Sequence, residues 1–116
     1  MTYYILDDEK QVIKATWEEY GEFFNGDDGE RKFIRVGSTY INDYWVSTVF
    51  LGINHNFDDY GEPILFETMI FRPPKEKDNY FDGYQERYCT WDDAVQGHTE
   101  AVTMVELRIK NGTMDE

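Results

Sequence analysis

The run Tyr44 to Ile53 restricts the fold more than any other part of the chain. Tyr44, Val46 and Phe50 carry bulk on one parity, while Trp45, Val49, Leu51 and Ile53 carry it on the other. A strand with bulk on both faces belongs in the middle of a sheet, covered on both sides. Pro63 opens a second such strand, Ile64 to Phe71, and Pro73-Pro74 closes the pair. Asn54 to Glu62 then forms a long hairpin loop. Shorter strands are expected at Thr2 to Leu6, Gln11 to Lys14, Arg31 to Val36, Thr39 to Ile41 and Tyr84 to Tyr88, where β-branched and aromatic residues gather. Lys75 to Gly83 is polar and reads as a mobile connection.

Two helix starts punctuate these strands. Thr16-Trp17-Glu18-Glu19 is a capping box, in which the Thr16 hydroxyl accepts from the Glu19 amide and the Glu19 carboxylate reaches back. A short helix should run through Phe24 with Trp17, Tyr20 and Phe24 facing inward, and Asn25 to Gly29 should stop it. Thr90-Trp91-Asp92-Asp93 repeats the signal. Behind it Trp91, Ala94, Val95, His98, Ala101, Val102 and Val105 recur at steps of three and four. Asp92, Asp93, Gln96, Glu100, Thr103 and Glu106 form the opposite stripe, and Asn111-Gly112 ends the helix. The expected fold is α+β: an antiparallel sheet with a short N-terminal helix and a longer C-terminal helix packed on it. Residues 1–116 form one domain.

Charge sets the class of partner. Twenty-four Asp and Glu against eleven Lys and Arg give a formal net charge of −13 on 116 residues. That surplus disfavours direct binding to nucleic acid or an anionic membrane, and no basic patch interleaved with aromatics argues otherwise. With 41% hydrophobic and 17% aromatic residues the chain can still bury a core. The longest apolar run falls short of the about 20 residues that span a bilayer. The first residues lack the basic and apolar regions of a secretion signal. Cys89 is the sole cysteine, so no internal disulfide forms and a reducing cytoplasm is the expected setting.

Acidic surfaces serve solubility by themselves. They can also imitate the charge of a duplex, which carries one phosphate per about 1.7 Å of axis, and so occupy a Lys/Arg groove. The residues placed for such docking are Glu18, Glu19 and Glu22 on the first helix and Asp92, Asp93, Glu100 and Glu106 on the second. Tyr80, Phe81 and Tyr84 are expected beside them as exposed aromatic anchors.

The competing reading is a pocket. His98 lies on the apolar stripe of the last helix, where a buried neutral imidazole with a hydrogen bond is the usual outcome and a titrating site the rarer one. Gly97 beside it points to a close contact, since glycine inside a helix costs about 1 kcal/mol relative to alanine. Glu67 interrupts an apolar strand and needs a cation, with Arg72, Arg87 and His98 as candidates. Thr48, His55, Glu67, Arg87 and His98 gathered on one face would make a polar site for a small molecule or a reaction. Cys89 precedes the cap Thr90, so the helix dipole could lower its pKa, but no histidine is assignable to it and an ordinary half-buried cysteine is the better reading. Neither His55 with its neighbouring acids nor Asp27-Asp28-Gly29-Glu30 matches a metal-ligand spacing. Gly-rich phosphate loops are missing as well. No metal, cofactor or catalytic residue is expected.

The phrases Val46 to His55, Pro63 to Phe71 and Tyr84 to Ala94 with Gly97-His98 resemble a family of small hypothetical proteins from bacteriophages and prophages. The resemblance covers roughly the last two-thirds of the chain. It brings no activity and no site residue with it. It implies a phage product in the cytoplasm of a bacterial host, acting on host machinery or host defence. The leading expectation is therefore an inhibitor or modulator, such as an anti-CRISPR or anti-restriction DNA mimic, that docks on a basic host surface. A small-molecule binder or small enzyme is the second expectation, and a homo-oligomeric structural protein the third.

Overall fold

A computed structural model describes residues 2–25, 34–54, 61–72, 81 and 83–112. β1 (Tyr3–Leu6) and β2 (Val12–Ala15) pair as an antiparallel hairpin. Asp7 makes its turn, with one carboxylate oxygen accepting from the Glu9 and Gln11 amides at 2.8 and 2.9 Å, and Lys10 takes φ 66°. α1 (Trp17–Asn25) follows behind a complete capping box: the Glu19 amide donates to Thr16 at 3.1 Å and the Thr16 amide to Glu19 at 2.8 Å.

The main sheet is a four-stranded antiparallel meander in the order β3 (Ile34–Ile41), β4 (Tyr44–Phe50), β5 (Phe66–Phe71), β6 (Gln85–Tyr88). α2 (Trp91–Leu107) crosses one face of it and passes into a π-helical turn, Arg108–Gly112. The α+β architecture is thus as expected. β3 is one strand rather than two pieces, and its pairing to β4 shifts between Arg35 and Gly37. Val36 is the extra residue, a β-bulge that resets which side chains face inward.

The core divides along the strands. One cluster joins Tyr4 and Leu6 of the hairpin, Phe24 of α1, Phe50, Leu65, Phe66 and Ala94. The other joins Tyr44, Val46, Ile70, Phe81, Ala101 and Val105. The hairpin is tied to the sheet where the Tyr4 amide donates to the Gly52 carbonyl at 2.8 Å, and Gly52 itself holds φ +73° against the Phe24 ring.

Two expectations about cover fail. Trp17 is 68% exposed, because Tyr20, Phe23 and Phe24 form the inward face of α1. β4 is central in the sheet order, yet no described helix covers the face bearing Trp45, Ser47 and Val49. Among the described residues no helix is long and apolar enough to cross a membrane.

The two helix glycines differ in their surroundings. A Cβ on Gly97 would overlap the Tyr88 phenol, whereas one on Gly21 would meet only Asn25 Nδ2 at 4.0 Å. Gly21→Ala should therefore stabilise by up to about 1 kcal/mol through helix propensity. Gly97→Ala should destabilise, since overpacking of about 1–3 kcal/mol outweighs that gain. Denaturant midpoints of the two variants check the opposite signs.

Candidate binding surfaces and the buried polar layer

Between the two apolar clusters lies a layer of hydroxyls. Thr48 of β4 and Thr68 of β5 are directly opposite in register, both fully buried, with their oxygens 2.6 Å apart. His98 of α2 reaches into this layer. Its Nδ1 is 2.7 Å from Thr48 Oγ1 and its Nε2 is 2.9 Å from Thr39 Oγ1. Tyr88 completes the chain by bonding Thr68. Two glycines make room: Gly37 leaves space under the imidazole, where a Cβ would lie 2.8 Å from the ring, and Gly97 leaves space for the Tyr88 hydroxyl.

Each member satisfies the next. A neutral imidazole donates from one ring nitrogen and accepts at the other, so the hydroxyls of Thr39, Thr48, Thr68 and Tyr88 must order head to tail around it. Among the described residues no buried side-chain nitrogen or oxygen lacks a hydrogen-bond partner. Burial lowers the pKa of His98 below its ordinary value. The group is a structural layer: both ring nitrogens are committed to hydroxyls of the protein itself.

The residues grouped for a pocket separate. Glu67 and Arg87 pair across β5 and β6, with Arg87 Nε 3.1 Å from Glu67 Oε2, on the sheet face opposite Thr48 and His98. The reason is register, since Glu67 is set against Val49 while its neighbour Thr68 is set against Thr48. His55 lies outside the described residues, as do Tyr80 and the Asp27 to Glu30 segment. The sequence did not single out Thr39, Thr68 or Tyr88 as partners of His98. Threonines on two facing strands and the Gly97-His98 pair were the available signals.

The acidic positions mostly stand where expected. Asp92, Asp93, Glu100 and Glu106 are exposed on α2, while Ala94, Gly97, Ala101 and Val105 are buried beneath them. Glu18, Glu19 and Glu22 are exposed on α1. Four of these seven sit in first helical turns, where a carboxylate complements the helix dipole. Glu19 is also spent on its cap. The Thr90 cap is half of a box, with the Asp93 amide donating to Thr90 Oγ1 at 3.1 Å.

Two aromatic expectations change, while Cys89 is the ordinary half-buried cysteine expected. Phe81 is 3% exposed, edge-on to Tyr44, so it is a core residue and not a surface anchor. Tyr84 is half-buried, its pKa pushed up to about 12 by burial and then by Tyr88, Glu86 and Glu100. The Cys89 thiol is pushed up by burial and by the carboxylates of Glu62 and Asp93, the reverse of activation by the helix dipole.

Two concavities frame these surfaces. A 790 Å³ cleft runs between the β1–β2 hairpin and the start of α2, where Lys10 Nζ lies 5.4 Å over the Trp91 ring. A 260 Å³ depression opens on the uncovered sheet face around Trp45, Val49, Met69 and Phe71. Comparison of the chain with family models, with curated proteins and with solved structures finds no match.

The polar layer makes stability depend on mildly acid pH. The folded-state pKa of His98 is below its unfolded value near 6.5, so just below that pH the folded protein binds fewer protons than the unfolded chain. Stability should be full above about pH 6.5 and fall as pH drops through that value toward the folded-state pKa. In His98→Gln the loss over that window should shrink, leaving the carboxylate-driven fall at lower pH. The same variant should cost about 1–3 kcal/mol at neutral pH, because a side-chain amide cannot reach both threonines. Denaturant melts of both proteins across pH check the two effects.

Proposed function

We propose that the chain is a phage-encoded binding protein that inhibits or modulates a host protein. It docks an acidic helical face on a basic, nucleic-acid-binding surface, of the kind found in CRISPR or restriction complexes. The supporting observation is where the acids lie. Glu22, Glu100 and Glu106 are exposed beyond the first turns of their helices, where neither cap nor dipole accounts for them. On α2 they continue the stripe begun by Asp92 and Asp93, on the side away from the sheet. In a chain of −13 such a stripe favours fast, charge-steered association with a cationic groove.

The pocket reading has less support. Thr48 and His98 are satisfied within the interior, and Glu67 with Arg87 faces the other way, so the polar groups it requires do not converge. The resemblance of the sequence to phage proteins supplies the setting, a bacterial cytoplasm.

The test is affinity capture from bacterial lysate, followed by affinity measurement on the retained protein. Binding should weaken steeply with salt, and Asp92→Asn/Glu100→Gln/Glu106→Gln should weaken it by about tenfold. Salt-independent binding, or a triple variant that binds as the parent does, would remove this reading.

A further inference from the structure

The sheet face left open by the helices has its own chemistry. Tyr40 of β3, Trp45 of β4 and Phe71 of β5 form a row across three strands, with ring centroids 5.8 and 5.1 Å apart. Arg35 lies 5.1 Å over the Trp45 ring and donates to Ser47 at 3.0 Å, while the indole N–H donates to Ser38 at 2.9 Å. The row is therefore held in place before any partner arrives. Tyr40 is 70% exposed and Phe71 42% exposed, and Val49 and Met69 line the depression beside them. Among the described residues the charges on this face are Arg35, Glu67 and Arg87, nearly balanced in a chain of −13.

We propose that this face is a self-association surface on which a second copy of the chain docks sheet to sheet. The charge distribution selects that occupant. A cationic partner is drawn to the helix faces and meets two arginines here. A second copy brings an equally neutral, aromatic surface. Its acidic helices remain outside, and three layer spacings of about 10 Å separate the α2 stripes by roughly 30 Å. That exceeds the screening length of about 8 Å at physiological salt, so the two stripes repel only weakly there and more strongly as salt is lowered.

Area fits a reversible pair. Strands of eight, seven, six and four residues, at about 3.4 Å per residue and about 4.8 Å apart, present about 400 Å² per copy, or about 800 Å² for two copies before side-chain relief. That is the size of a weak, transient pairing, below the about 1,000 Å² of a stable specific interface and the about 1,600 Å² of a standard one. Aligned packing at about 30° interdigitates the Tyr40, Trp45 and Phe71 rows across a two-fold axis.

This pairing is independent of the acidic docking proposed above, and salt separates them by sign. Attraction through the acid stripes weakens as salt rises, whereas apolar pairing of two anionic molecules strengthens as their repulsion is screened. The experiment is sedimentation of the full-length chain from about 1 to 200 µM, at about 0.05 and 1 M sodium chloride. Wild type should pass from monomer to dimer, with the dimer fraction rising with salt. Tyr40→Glu, on an exposed side chain the core does not need, should shift the midpoint at least about tenfold toward monomer. Trp17→Glu, equally exposed on α1, should leave the midpoint unchanged. A monomer throughout the range overturns the proposal, and so does a dimer that Tyr40→Glu leaves intact or that Trp17→Glu disrupts equally.

Discussion

The bridge from His98 to Thr39 and Thr48 is the constraint from which the rest of the interior follows. One imidazole ties the long helix to two neighbouring strands, with contacts of 2.7 and 2.9 Å. Apolar packing alone tolerates small slides of a helix over a sheet. A hydrogen-bonded layer does not, because a shift of one residue would strand buried hydroxyls at about 1–3 kcal/mol each. The layer thus fixes which turn of α2 lies over which strand. Ala94 is placed in one apolar cluster and Ala101 with Val105 in the other. Gly37 and Gly97 are the steric counterpart, since a methyl group at either position would displace a member of the network.

That arrangement sorts the molecule into surfaces of unlike chemistry. Helices cover the inner side of the sheet and point their carboxylates to solvent. The outer side keeps an aromatic row and a cross-strand ion pair. The ion pair contributes little by itself, given that Arg87 is 38% exposed. Several acids at the helix starts serve the helices first. What the protein offers a partner is the remainder, and it differs between the two sides.

Much of this was legible in the chain. The helix caps read correctly because their chemistry is local: Thr16 with Glu19, and Thr90 with Asp93, lie within one turn, although only the first pair closes a full box. The stripe of α2 read correctly because burial follows helical period, although Val95 on its margin is 42% exposed. Register was not legible. Whether Glu67 or Thr68 faces Thr48 depends on pairing between distant strands, and a one-residue difference reverses the face. Trp17 and Phe81 failed for the same reason at longer range. Neither the angle at which α1 docks nor the path that brings Phe81 under Tyr44 is written in local spacing.

The bulge at Val36 acts as a phase shifter in β3. Upstream of it the odd-numbered Arg35 turns outward; downstream the even-numbered Ser38 and Tyr40 do, while Gly37 and Thr39 turn in. The bulge absorbs one surplus residue, so that Thr39 still meets the hydroxyl layer while Tyr40 stays in the aromatic row. Taking Val36 into regular pairing would bring Tyr40 beneath the helix in place of Thr39 and undo both surfaces together, whereas excising Val36 would leave every other side chain of β3 on its present face.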